Sequence, residues 1–149
     1  MAAAIEPNSR DTLDVVHGPR VDWIPWAFEG AYFKLLHADR ESGRFTILIK
    51  VDPGVSAPIH RHLEPVEAYV TKGGFHYADD PAIRFEEGSY LFENVGAIHE
   101  PVSPEGAEML AVFHGPVEGV AETGEMAGRF DAAWHMDAWR AAGNDVPGG

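Results

Sequence analysis

The chain reads as an all-β protein, a β-sandwich or barrel, finished by one C-terminal helix. Three observations predict this. Short runs rich in β-branched and aromatic residues fill the middle of the chain, as in residues 31–38 and 45–51. Glycine and proline turn signals separate them at close intervals: Ser42-Gly43, Asp52-Pro53-Gly54, Lys72-Gly73-Gly74, Asp79-Asp80-Pro81, Glu87-Gly88 and Pro104-Glu105-Gly106. Beyond residue 125 the apolar residues change to a helical spacing.

Taken in order, residues 1–12 read as a loose end. Trp23, Ile24, Trp26 and Phe28 then form an aromatic segment suited to covering a neighbouring subunit's sheet in a homodimer or homotetramer. Residues 31–38 and 45–51 flank Arg40-Glu41-Ser42-Gly43 as a hairpin. Strands are expected at 66–71, 75–78, 83–86, 90–93 and 108–114. A helix over about 125–142 follows, with Met126, Phe130, Trp134 and Ala138 on one stripe and Gly143 as its stop. That stripe is expected to pack on the outside of the β-domain, and residues 143–149 to be loose. A single domain spans 1–149, with its core at about 30–120.

Composition narrows the function. A net charge of −13 opposes nucleic acid and anionic membrane surfaces. With no cysteine, metal ligands must be histidines and carboxylates, and a disulfide or thiol nucleophile is excluded. Met1-Ala2-Ala3-Ala4-Ile5-Glu6-Pro7 lacks the basic and apolar regions of a leader. The longest apolar runs, such as 109–113, are strand-sized. A soluble cytoplasmic protein is the expectation.

Two blocks carry the chemistry. The first runs from Gly54 through His60-Arg61-His62 and Glu67 to Gly73-Gly74; the second runs from Gly88 through Asn94 and Gly96 to His99. On a strand, His60 and His62 project from one face. Two imidazoles, a carboxylate and a remote third imidazole can close one side of a divalent ion and leave positions open for substrate and dioxygen. His60, His62, Glu67 and His99 are therefore the expected ligands, with Glu64 a competing carboxylate. Such a site exists only in the folded chain, so metal binding should also stabilise the fold. His17, His37, His76, His114 and His135 lie outside the pattern and read as ordinary core or surface histidines.

The pattern Gly-x5-His-x-His-x4-Glu-x6-Gly, then Gly-x5-Asn-x-Gly-x2-His, resembles the two signature motifs of the cupin superfamily. Asn94 stands where a proline is usual and Ser103 where an asparagine is usual. The resemblance implies a jelly-roll barrel with the metal inside one mouth. Within that superfamily the chain is most similar to the small dioxygenases that cleave acetylacetone and their relatives acting on hydroxyacetophenones. The shared residues are Pro25-Trp26-Ala27-Phe28, Leu35-Leu36-His37, the His-x-His-x4-Glu spacing, Thr71-Lys72-Gly73, Phe92-Glu93, Gly96-Ala97-Ile98-His99 and His114-Gly115-Pro116. The resemblance implies iron(II) on three histidines, His60, His62 and His99, with the motif glutamate not required as a ligand and Glu93 as a carboxylate near the ion. It also places Ala68 and Ala78 beside the pocket, where those enzymes carry larger polar residues.

The expected function is an Fe(II)-dependent dioxygenase that cleaves a C–C bond in a β-diketone or hydroxyketone, with a small carbonyl substrate and O2 as partners. Histidine-rich sites also accept Zn, Ni, Co and Mn. The alternatives are a non-catalytic zinc-binding cupin of the sensor type and a metal-dependent isomerase. Phe45, Ile47, Phe75, Phe92, Leu110 and Phe113 are the expected pocket walls.

Overall fold

Strand alternation in the sequence becomes strand pairing in the computed structural model, which describes residues 14–147 and the backbone of 5–7. The strands are β1 (Ile5–Pro7), β2 (Asp14–Val16), β3 (Ile24–Pro25), β4 (Ala31–Ala38), β5 (Phe45–Val51), β6 (Val55–Ser56), β7 (His60–His62) and β8 (Val66–Tyr77). They continue as β9 (Asp80–Glu86), β10 (Tyr90–Glu93), β11 (Ile98–His99), β12 (Pro101–Ser103), β13 (Ala107–Phe113), β14 (Val117–Val120) and β15 (Met126–Phe130), and α1 (Ala132–Ala141) ends the chain. The larger sheet follows the order β3-β4-β5-β13-β8-β12-β6, with β9 and β10 also paired to β8. A second sheet has the order β11-β7-β14-β15. All these pairings are antiparallel, and the curled sheets form the cupin barrel expected from the motifs.

The hairpin forms as read, with Ala31 opposite Val51 and Ala38 opposite Phe45. The two strands expected at 66–71 and 75–78 are one strand, in which a bulge against β13 falls at Thr71 and the pairing continues through Gly73. Its φ is +67°, and a Cβ there would collide with the Gly106 carbonyl across the β8–β13 pair. Gly54 and Gly88, the first glycines of the two motifs, also have positive φ, at +85° and +89°.

The expected helix over 125–142 is shorter. Residues Met126–Phe130 extend as β15 and pair with β14, Val117 lying opposite Phe130. Asp131 is extended, and its carboxylate accepts the Trp134 N–H at 2.8 Å, which caps the helix there. The every-fourth spacing from Met126 thus spans a strand and a helix. The buried helical face is Ala132, His135, Met136 and Trp139, not the predicted stripe.

That face does not lie on the outside of the barrel. His135 stacks on Phe45 at 4.1 Å and Trp139 meets Phe33 at 5.8 Å. Phe45 shares its side of β5 with Ile49 and Val51, so α1 covers the inner sheet face at its Phe45 end. Trp139 is fully buried, and truncating such a residue costs about 3–5 kcal/mol. Nor is the stretch after the helix loose through 147. Ala38 donates to the Pro147 carbonyl at 3.1 Å and the Trp139 indole to the Asp145 carbonyl at 3.0 Å. At the other end, residues 5–7 of the expected loose start pair with β2 as β1, while residues 1–4, 8–12, 148 and 149 lie outside the described residues. Among the described residues no helix is long and apolar enough to cross a membrane.

Candidate metal centre and cavity

β7 is only three residues long, and its alternation does the first step of site building. His60 and His62 face inward, while Arg61 between them turns out to Glu118 at 3.4 Å. The third histidine arrives by cross-strand pairing, since β11 places His99 directly opposite His60. Ring centroids are 4.9 Å apart for His60 and His62, 5.4 Å for His60 and His99, and 5.2 Å for His62 and His99. One ligand atom from each lies within 4.8 Å of the others. Three nitrogens on one side of an ion, each at about 2.1 Å, would sit roughly 3 Å apart. Ligation therefore draws the rings together by up to about 2 Å.

A divalent ion fits this donor set. His60 Nδ1 lies 3.0 Å from the Pro58 carbonyl; as the N–H donor there, it leaves Nε2 with a free lone pair. Burial pulls the His60 pKa down to about 4, with the neighbouring His62 adding to the effect, so the ring is neutral at pH 7. His62 is buried, and neither of its ring nitrogens has an aligned hydrogen-bond partner. Orphaned nitrogen in a buried imidazole is expensive without a partner such as a metal ion.

Glu93 closes the group. Its Oε2 lies 2.7 Å from His62 Nε2 and 3.1 Å from His99 Nε2. The first approach lies outside the in-line geometry of a hydrogen bond and is a close polar contact; the second is hydrogen-bonded. The Tyr77 phenol donates to Glu93 Oε1, and its ring stacks on His99 at 4.3 Å and 8°. Burial alone would raise the Glu93 pKa, but the close contact with His62 and the hydrogen bonds with His99 and Tyr77 overcome it and hold the carboxyl well below the usual range.

Glu67 is not brought to this group. Val66, Ala68 and Val70 point into the barrel, so Glu67 and Tyr69 between them face outward. There Glu67 accepts from Tyr90 Oη at 2.6 Å and contacts His114 Nε2 at 2.9 Å. The same parity explains Glu93, because Glu93 is paired with the inward Val66 and Phe92 with the outward Glu67. The apolar-polar alternation of Val66 to Val70 carried this signal in the sequence. Glu64, the other acid considered, is exposed on the turn after β7.

A cavity of about 150 Å³ opens beside His60, His62 and Glu93. Its walls are otherwise mostly apolar, with Trp26, Phe28, Met109 and Phe130 joining the expected Phe75 and Phe113. The remaining expected wall residues sit elsewhere: Phe45 and Ile47 are buried behind the wall, Phe92 is exposed, and Leu110 faces the outer side of β13. Ala68 lines the cavity as the resemblance implies, but Ala78 is exposed beyond the end of β8. In the N-terminal aromatic segment, Trp26 and Phe28 line the chain's own cavity. Trp23 lies under the ammonium groups of Lys34 and Lys50, at 4.8 and 5.1 Å.

Comparisons with known proteins agree with the fold. The sequence profile described as the ChrR cupin-like domain matches residues 12–118. The acetylacetone-cleaving enzyme of Acinetobacter johnsonii is 28% identical over 133 residues, 83% of this chain and 84% of that protein. A crystal structure from Methylibium petroleiphilum, proposed to be an acetylacetone dioxygenase, superposes with a TM-score of 0.81 at 26% identity, covering 89% of this chain and 97% of that one. The anti-sigma protein ChrR, seen in complex with SigE from Rhodobacter sphaeroides, gives a TM-score of 0.53 at 21% identity, covering 63% of this chain and 50% of that one.

Proposed function

The chain belongs to the ChrR cupin-like domain family, and we propose that within it this protein is an iron(II)-dependent dioxygenase cleaving a C–C bond of a β-diketone or hydroxyketone. The observation that carries this reading is the junction of a three-histidine group, an ionised carboxylate and an apolar cavity. A protein that only stores an ion has no need of a cavity opening onto it. The likeness to an acetylacetone-cleaving enzyme across most of both chains supports the same reading.

His60, His62 and His99 would hold the ion, which supplies the redox chemistry that lets O2 react with an electron-rich carbon. The protein's own groups do the rest. The Pro58 carbonyl fixes the His60 tautomer. Glu93 presents a carboxylate oxygen as acceptor for an enol or hydroxyl proton of the substrate, and Tyr77 holds that carboxylate and the His99 ring in place. The apolar walls keep water from the reacting carbon and favour uncharged ketone arms. In the overall balance one O2 enters per diketone, the bond between a carbonyl and the central carbon breaks, and the products are a carboxylic acid and an α-dicarbonyl.

The test is oxygen uptake by the iron-loaded protein with a panel of β-diketones and hydroxyacetophenones, the acid being quantified in parallel. One acid per O2 is expected from a β-diketone and two from an α-hydroxyketone, with the zinc form inactive because zinc has no accessible redox chemistry. No uptake with iron confirmed in place would sink this reading in favour of a metal-binding sensor or isomerase.

A further inference from the structure

The cavity wall that carries Trp26 is held by very little backbone. β3 is two residues long and pairs only Ile24 with Phe33 and Pro25 with Tyr32. Trp26 follows it, and its N–H donates to the Ala31 carbonyl at 2.9 Å. The indole leans on Phe28 at 5.6 Å and on the edge of Phe113 at 6.4 Å. None of these contacts is directional enough to fix a ring on a short edge strand.

What does fix it lies 109 residues away. The Trp26 indole N–H donates to His135 Nε2 at 2.9 Å. An indole offers a donor and nothing else, so His135 Nε2 must be the unprotonated nitrogen. His135 is built to supply it. Its Nδ1–H donates to the Asp131 carbonyl at 2.7 Å, its ring stacks on Phe45, and it is fully buried. Burial also lowers its pKa to about 4, so the acceptor lone pair is present at neutral pH. Asp131 is at once the cap of α1 and the anchor of this ring. The chain from helix cap to imidazole to indole to cavity is continuous.

We propose that His135 is a positioning residue that sets, through its hydrogen bond to Trp26, the size of ligand the cavity admits beside His60 and His62. It rests on the same cavity as the proposed function but on none of its oxygen chemistry. Phenylalanine at 135 would keep the stack on Phe45 and remove the acceptor. Glutamine would keep an acceptor and lose the ring.

The experiment measures binding of two unreactive neutral ketones, acetophenone and the larger 2-acetylnaphthalene, to the metal-loaded protein by calorimetry. The reading is the ratio of their dissociation constants. The wild-type protein should disfavour the larger ketone. His135→Phe should reduce that preference by about threefold to tenfold, the range one neutral hydrogen bond spans. His135→Gln should restore it, and Trp26→Phe should mimic the loss, with His135→Phe adding nothing in the double variant. If His135→Phe does not fold, the comparison of Trp26→Phe with His135→Gln carries the test. An unchanged ratio in a folded His135→Phe, or additive effects in the double variant, overturns the proposal and leaves the dioxygenase reading standing. Failure of the wild-type protein to bind either ketone also overturns the proposal, and oxygen uptake alone decides the dioxygenase reading.

Discussion

Acidification should destabilise this protein through His135 by an amount its burial sets. The imidazole is fully buried, and burial lowers its pKa from the ordinary 6.5 to about 4, against the opposing pull of Asp131. The ring stacks on Phe45, meets Phe33 edge to face and lies against Trp26 and Trp134, so no charged group from those neighbours compensates a proton. Because the folded pKa is depressed, the unfolded chain binds more protons between pH 6.5 and 4. The stabilisation is therefore complete above pH 6.5 and is lost as pH falls towards 4. Full titration amounts to about 3 kcal/mol, of which about 2 kcal/mol is gone by pH 5. Urea unfolding of the wild-type protein and His135→Gln at pH 7.5 and 5.0, with chelator present, measures it. His60, also lowered to about 4, titrates in both proteins and cancels in the difference. The wild type should lose about 2 kcal/mol more than the variant between the two pH values. Equal losses would show that His135 is not a buried neutral imidazole.

Three further outcomes follow from the site. The protein should bind one divalent ion, with histidine N–metal distances of about 2.0–2.2 Å by X-ray absorption; His62→Ala should lose the ion, and an unchanged metal content would remove His62 from the ligands. Glu67→Gln should keep full metal content and the same absorption spectrum, since Glu67 pairs with His114 and Tyr90 on the outer face; loss of the ion would return Glu67 to the centre. Ala68→Phe should fill the cavity and weaken ketone binding with the ion retained, whereas Ala78→Phe, on an exposed residue, should change neither; calorimetry and elemental analysis separate the two.

How much of this was legible beforehand depended on the range of the interaction. The β4–β5 hairpin and the face shared by His60 and His62 are local, because turn chemistry and the two-residue period of a strand act over a few residues. So was the outward turn of Glu67, although motif spacing outweighed the alternation around it. The helix start was misplaced because strand and helix each present an apolar residue every fourth position for one turn, and only the β14–β15 pairing and the Asp131 cap separate them.

By itself, then, the sequence determined an all-β barrel with three histidines converging, since alternation, glycine turns and the order of the two motifs are written along the chain. Only the tertiary structure decided which carboxylate joins them, where α1 packs, and which aromatics wall the cavity. Glu93 reaches His62 and His99 through the register of β10 on β8, and Trp26 finds His135 across 109 residues. Such contacts depend on how the sheets curl and close, a property of the whole packed chain that no local pattern encodes.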